Sequence, residues 1–211
     1  MKIKNFFLMT LILMLLNIKP IKNADFIEKE NIVNYLDTSN IYLAFKGTST
    51  KPGKIAKKYN LYNKKASHVG ILYYDIDEWK IIHVTNVKKN SNNLYIEKID
   101  EYYRSTKEVN YESIFEIQNI NKDSVLVEIK KNENKLIEFD NDFDLQNKNF
   151  YCSEFVVSIL GLNRSLKPTK ITITNFQHKI FLGRDTLIYY PVDLFYNHAN
   201  FKKIYEKDYS I

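Results

Sequence analysis

An α+β fold, with helices packed on a small antiparallel sheet, is what this 211-residue sequence predicts. Two strand-like runs, His68–Tyr74 and Lys80–Val87, flank a turn at Asp75–Trp79 and read as a hairpin. Phe155, Val156, Ile159 and Leu160 form an apolar stripe at helical spacing that ends on Gly161. No repeat, no Pro-rich or Gly/Ser-rich linker and no compositional shift divides the chain after residue 25, so a single domain is expected over 25–211.

The first 24 residues read as an export signal or N-terminal anchor. Lys2 and Lys4 give a basic start and Phe6 to Leu16 a short apolar run. That run is well short of the roughly 20 apolar residues of a spanning helix. The expected destination is the periplasm, the cell surface or the medium, with association at a membrane surface if the segment stays attached. Downstream, Asn40–Lys46 reads as a first strand, Gly47–Gly53 as turns and Lys54–Tyr59 as a short helix. The hairpin follows, and Leu94–Tyr103 has helical spacing. With the residues from Lys88 onward it is expected to form a helical lid over the site. Glu112–Ile117 reads as a strand, and Asn121 opens a helix continuing through Val125–Ile137. Ile171–Ile180 and Leu187–Tyr190 read as further strands, and Pro191 opens a last short helix.

Composition excludes some functions. Hydrophobic residues make up 45% and charged residues 27%, as in an ordinary folded domain. Four of the 31 basic residues and none of the 25 acidic ones fall in 1–24, which leaves 27 basic against 25 acidic in the remainder. A field that weak, with the interrupted Lys54–Lys65 stretch as its densest part, argues against a nucleic-acid partner.

Cys152 is the single cysteine, so no disulfide can form within the chain. It falls at the start of the helix carrying Phe155 to Leu160. There, free amides and the helix dipole favour a thiolate and could hold an oxyanion. Glu154 opposes this slightly by its charge. A thiol nucleophile needs a base and a group to orient that base. Of four histidines, His68 and His83 flank the one hairpin. An even-length turn would set them on one face, opposed or one step diagonal; an odd-length turn would set them on opposite faces. Gly70, on the His68 face, would leave room beside the thiol, while Val69 and Ile71 would point into the core. Tyr151 is read as packing under the helix, and Asp140–Asp144 as an Asx-turn leading into it, although such a stretch also has calcium-like chemistry.

Three segments together resemble the permuted papain-like amidases of the YaeF/YiiX type, relatives of NlpC-like and lecithin-retinol-acyltransferase-like thiol enzymes. They are Ser67-His68-Val69-Gly70-Ile71-Leu72-Tyr73, Lys80-Ile81-Ile82-His83-Val84 and Tyr151-Cys152-Ser153-Glu154-Phe155-Val156. Glu138 to Leu145 and Tyr190-Pro191-Val192-Asp193-Leu194-Phe195 add to the likeness, which spans most of 40–205. The resemblance implies a papain-like, circularly permuted NlpC-like half-barrel with the nucleophile at a helix N-terminus. It implies Cys152 as nucleophile, His68 as base preceding it in sequence, and His83 as third polar residue, without a cofactor. His83 stands where YiiX-type relatives often carry an acid.

The activity expected is cleavage of an amide or ester through an acyl-thioester on Cys152, with a small molecule, cell-wall peptide or lipid as partner. Three other readings stay open. The first is a lipid-directed acyltransferase of the same fold, and the second a binding module that kept the fold without the reaction. The third is a zinc site built from Cys152, His68 and His83.

Overall fold

The computed structural model describes residues 30–86, 92–104 and 108–209. The expected export segment lies outside the described residues. Two compact units divide the chain after Asn34. The described part of the first is a single helical turn, α1 (Glu30–Val33).

The second unit is built on a six-stranded, wholly antiparallel sheet in the order β4-β3-β2-β1-β5-β8. Its strands are β1 (Tyr42–Thr48), β2 (His68–Asp75), β3 (Glu78–Val84), β4 (Leu94–Lys98), β5 (Val109–Ile117) and β8 (Phe201–Asp208). A separate hairpin pairs β6 (Thr169–Thr172) with β7 (Thr186–Tyr189). The helices are α2 (Lys51–Tyr59), α3 (Ile99–Arg104), α4 (Lys122–Asn132), α5 (Cys152–Ile159) and α6 (Phe176–Leu182). The α+β class is as the sequence predicts. No described helix is long and apolar enough to cross a membrane.

Alternation along the strands gives the sheet two faces. Leu43 and Phe45 of β1, Val69, Ile71 and Tyr73 of β2, Ile82 and Val84 of β3 and Phe115 of β5 point to one face. There they join Phe155, Val156 and Ile159 of α5 and Val125 and Ile129 of α4 in one buried cluster. The intervening residues, Ala44, Lys46, His68, Gly70, Ile81 and His83, point to the other. Tyr102 of α3 covers that face, its hydroxyl donating to the Ala44 carbonyl at 3.0 Å.

Several elements differ from the sequence reading. Helix α2 starts at Lys51 because Thr50 caps it, accepting from the Gly53 amide at 3.1 Å, with Pro52 in its first turn. The hairpin turn is only Ile76 and Asp77, both at positive φ as a tight two-residue turn requires. The segment read as a helix over Leu94–Tyr103 is strand β4 followed by α3. A strand edge therefore stands where a helical lid was expected, and 87–91 lie outside the described residues. Ile171–Ile180 divides into β6 and α6, the latter capped by Asn175 and closed by Gly183 at φ 61°.

Candidate active site

The hairpin settles the relation between the two histidines. Ile71 pairs with Ile82 and Asp75 with Glu78, so paired residue numbers sum to an odd value and the turn is even. His68 and His83 then share a face one diagonal step apart. Their rings meet edge to face with centroids 4.9 Å apart, and His68 Nε2 lies 2.8 Å from His83 Nδ1. Gly70 serves this packing rather than the thiol. A Cβ there would fall 2.7 Å from Ile81 Cγ2 and 3.0 Å from His83 Cβ. The space it leaves is thus filled by β3, a correction to the expectation that it opens room beside the sulfur.

Behind His83 stands Glu97 of β4, which sequence reasoning missed. Pairing of His83 with Tyr95 and Ile81 with Glu97 puts the carboxylate diagonal to His83, with Glu97 Oε2 2.9 Å from His83 Nε2. His83 is buried and Glu97 half-buried. The contact from His83 holds the Glu97 carboxyl below its ordinary range, against the effect of burial. Burial, and after it the His83 and Lys46 charges, holds His68 well below the ordinary imidazole range. Burial also lowers His83, with Glu97 pulling the other way.

These contacts fix the tautomers of the neutral pair. An ionised carboxylate accepts only, so His83 Nε2 carries the proton and its Nδ1 is an acceptor. His68 must then donate through Nε2, which leaves the lone pair of His68 on Nδ1.

Cys152 opens α5, with Tyr151 as N-cap residue. Its thiol is buried. Burial pushes the thiol up to about 11, although the amides of Val69 and Ser153 favour the thiolate. The helix start alone therefore does not lower this cysteine, contrary to what its position in the sequence suggests. Val69 follows His68 in β2, beyond the last pair with β3, and its amide links the strand to the sulfur. No hydrogen bond joins Cys152 to His68 among the described residues.

Two hydrogen bonds lock the helix start to the Tyr190-Pro191 segment. The Tyr190 amide donates to the Tyr151 hydroxyl at 2.7 Å, and Ser153 Oγ donates to the Tyr190 carbonyl at 2.6 Å. Tyr151 thus packs under the helix, and Asp140 makes an Asx-turn, accepting from the amides of Asp142 and Asp144 at 2.9 and 2.6 Å. Asp193 anchors the loop before β2 by accepting from the amides of Leu61, Tyr62 and Asn63.

A second residue missed in the sequence is Lys46, whose charge acts on both imidazoles and on Cys152. A lysine in a strand reads as solvent-facing. Here the neighbouring strands and α3 cover it. For Glu97, the available signal was the period-two alternation of Leu94 and Ile96 against Tyr95 and Glu97.

Neither a protein-family model nor a curated protein matches the chain. Among solved structures it is similar to one described as metalloprotein yiiX from Escherichia coli O157:H7, DUF1105. The TM-score is 0.59 at 10% identity, over 82% of this chain and 99% of that one. At such identity the likeness is one of fold, and the fold of this chain is YiiX-like.

Proposed function

We propose that the chain is a cysteine hydrolase of the permuted papain-like, NlpC-related kind, cleaving an amide or ester through an acyl-thioester on Cys152. The observation that carries this reading is the relay His68–His83–Glu97, which leaves the His68 Nδ1 lone pair on the strand whose next amide faces the sulfur. His68 Nδ1 takes the thiol proton as Sγ attacks the acyl carbon. The carbonyl oxygen becomes an oxyanion, favoured by amides at the start of α5. Collapse breaks the bond to the leaving group, which takes the proton from His68. Water then attacks the thioester, giving a proton to His68, and the acid departs as Sγ is released and takes that proton back. His83 and Glu97 orient His68 and favour its imidazolium during each transfer.

The yiiX protein is described as a metalloprotein, and the side chains here do not fit a metal at this place. No group of three or more His, Cys, Asp or Glu among the described residues is disposed to hold an ion. His68 Nε2 and both nitrogens of His83 are engaged in the relay, and the Lys46 charge stands beside them. The zinc reading of Cys152, His68 and His83 loses its support.

Export through residues 1–24 belongs to the same proposal and suits a cell-wall peptide, a lipid or another extracellular substrate. The test is hydrolysis of a panel of acyl amides and esters by the wild-type chain and by Cys152→Ala. Turnover that requires Cys152 supports the reading. Turnover unaffected by Cys152→Ala overturns it, and a binding isotherm without turnover favours the binding-module alternative.

A further inference from the structure

Lys46 carries a charge where a central strand ordinarily holds an apolar side chain. It pairs with His68 across β1 and β2 and is only 7% exposed. Its ammonium donates to the Tyr102 carbonyl at 2.9 Å and lies 4.0 Å from the centre of the Tyr102 ring. That same ring packs on both imidazoles, with centroids 5.9 Å from His68 and 5.0 Å from His83. Ammonium, phenol ring and imidazoles therefore form one packed cluster on the face that carries the relay. A buried ammonium is unfavourable for the fold unless its surroundings compensate it, and its neighbours indicate what it acts upon.

Resting on the reading of Cys152 as nucleophile, we propose that Lys46 is a positioning residue whose buried charge adds to burial in holding His68 and His83 neutral in the resting protein. The His68 Nδ1 lone pair then stays available for the thiol proton, and negative charge at the sulfur is favoured. The groups facing the imidazoles come from five elements: Lys46 from β1, the histidines themselves from β2 and β3, Tyr95 and Glu97 from β4 and Tyr102 from α3. The Cys152 thiol of α5 acts on Lys46 and Tyr102. Glu112 of β5 lies across from Lys46 and accepts from the Tyr209 hydroxyl at 3.2 Å. Glu97 and Lys46 act on the pair in opposite senses. The carboxylate fixes the tautomer, and the ammonium disfavours a second proton. Burial is the larger cause of the low imidazole affinity for protons, and Lys46 adds to it. Burial likewise lowers Lys46, to about 8, with Glu97 and Cys152 opposing. Its charge is thus present at neutral pH and fades in mildly alkaline solution.

The experiment is an NMR pH titration of the His68 and His83 rings in the full chain, with iodoacetamide alkylation of Cys152 followed over the same range. Wild-type His68 is expected to titrate below the ordinary imidazole value. Lys46→Met should raise it by about one unit and slow alkylation several-fold near neutral pH, where Lys46 still carries its charge. Lys46→Gln, which keeps a donor for the Tyr102 carbonyl, should give the same shift if the Met variant fails to fold. Lys46→Arg, which keeps the charge, should leave the titration in place. A wild-type His68 that titrates at or above the ordinary value overturns the proposal. So does a His68 unmoved in a folded neutral variant, or a shift as large in the Arg variant. None of these readouts uses a substrate, so failure of the hydrolase reading would show separately, as turnover that survives Cys152→Ala.

Discussion

His68 Nε2 lies 2.8 Å from His83 Nδ1, and His83 Nε2 lies 2.9 Å from Glu97. Because the far end of this chain of contacts is a carboxylate, the proton order along it has one solution. Glu97→Gln breaks that condition, since an amide presents a donor as readily as an acceptor. The variant is expected to fold normally and to lose about 10²–10⁴ in kcat/KM, the usual range for a disabled acid–base relay. Its ring-nitrogen NMR shifts should show a mixture of tautomers. Wild-type rates in a folded Glu97→Gln chain would remove Glu97 from the mechanism.

The resting charge state follows from burial. The thiol is pushed up to about 11 and His68 is held well below its ordinary value, so both are neutral across the physiological range. In the proposed reaction, proton transfer then accompanies attack on the substrate, instead of preceding it in a standing ion pair. Alkylation of Cys152 in the substrate-free chain is expected to be slow at neutral pH and to climb toward strongly alkaline pH. A rate that has already levelled off below neutrality would show a preformed thiolate and contradict this charge state.

Gly70 is required by packing between β2 and β3. An added methyl group would meet Ile81 Cγ2 at 2.7 Å, His83 Cβ at 3.0 Å and the Ile82 carbonyl oxygen at 3.0 Å. Gly70→Ala is therefore expected to destabilise the chain by about 1–3 kcal/mol, as overpacking does, and to displace the His83 ring. Chemical denaturation measures the first effect and the His68 titration the second. A variant with both at wild-type values would mean that the hairpin accommodates the methyl without moving His83.

Glu154 gives a pH dependence of stability with a definite sign. It is buried in the first turn of α5, and its Oε2 has no hydrogen-bond partner among the described residues. Burial first, then Asp140, push its carboxyl from an ordinary 4.5 up to about 8. The folded chain keeps a proton that the unfolded chain has released, so stability falls as pH rises between these values and levels off above them. Glu154→Gln should remove that loss. Its melting temperature should match wild type near about pH 5 and exceed it near about pH 9. Parallel curves for the two chains would place the titration elsewhere.

The hairpin and the Cys152 helix were legible because their signals are local. Alternation and turn residues mark β2 and β3, and an apolar stripe closed by Gly161 at φ 64° marks α5. The parity of the turn was left open, because Asp75 to Trp79 admits several lengths, and the backbone resolves it with Ile76 and Asp77 at positive φ. Strand β4 was hidden because Lys98 passes directly into Ile99 of α3 with no Gly or Pro between them, and the two short elements together mimic one helical stripe. Glu97 was lost with it. Edge strand β8 carries Lys202, Lys203, Glu206, Lys207 and Asp208 and has little apolar alternation to detect. Lys46 is illegible for a different reason: its burial depends on β5 and α3, which lie more than 50 residues later in the chain.

In the proposed reaction Cys152 carries the acyl group and His68 moves the proton that lets it form. Intact-protein mass spectrometry after rapid quenching, with an activated acyl ester as substrate, measures it directly. A single acyl adduct is expected on wild type, mapped to Cys152 and removed by hydroxylamine as a thioester would be. It should accumulate far more slowly in His68→Ala and be absent in Cys152→Ala. Turnover with no adduct on Cys152, or an adduct that forms at the wild-type rate in a folded His68→Ala chain, would contradict the account.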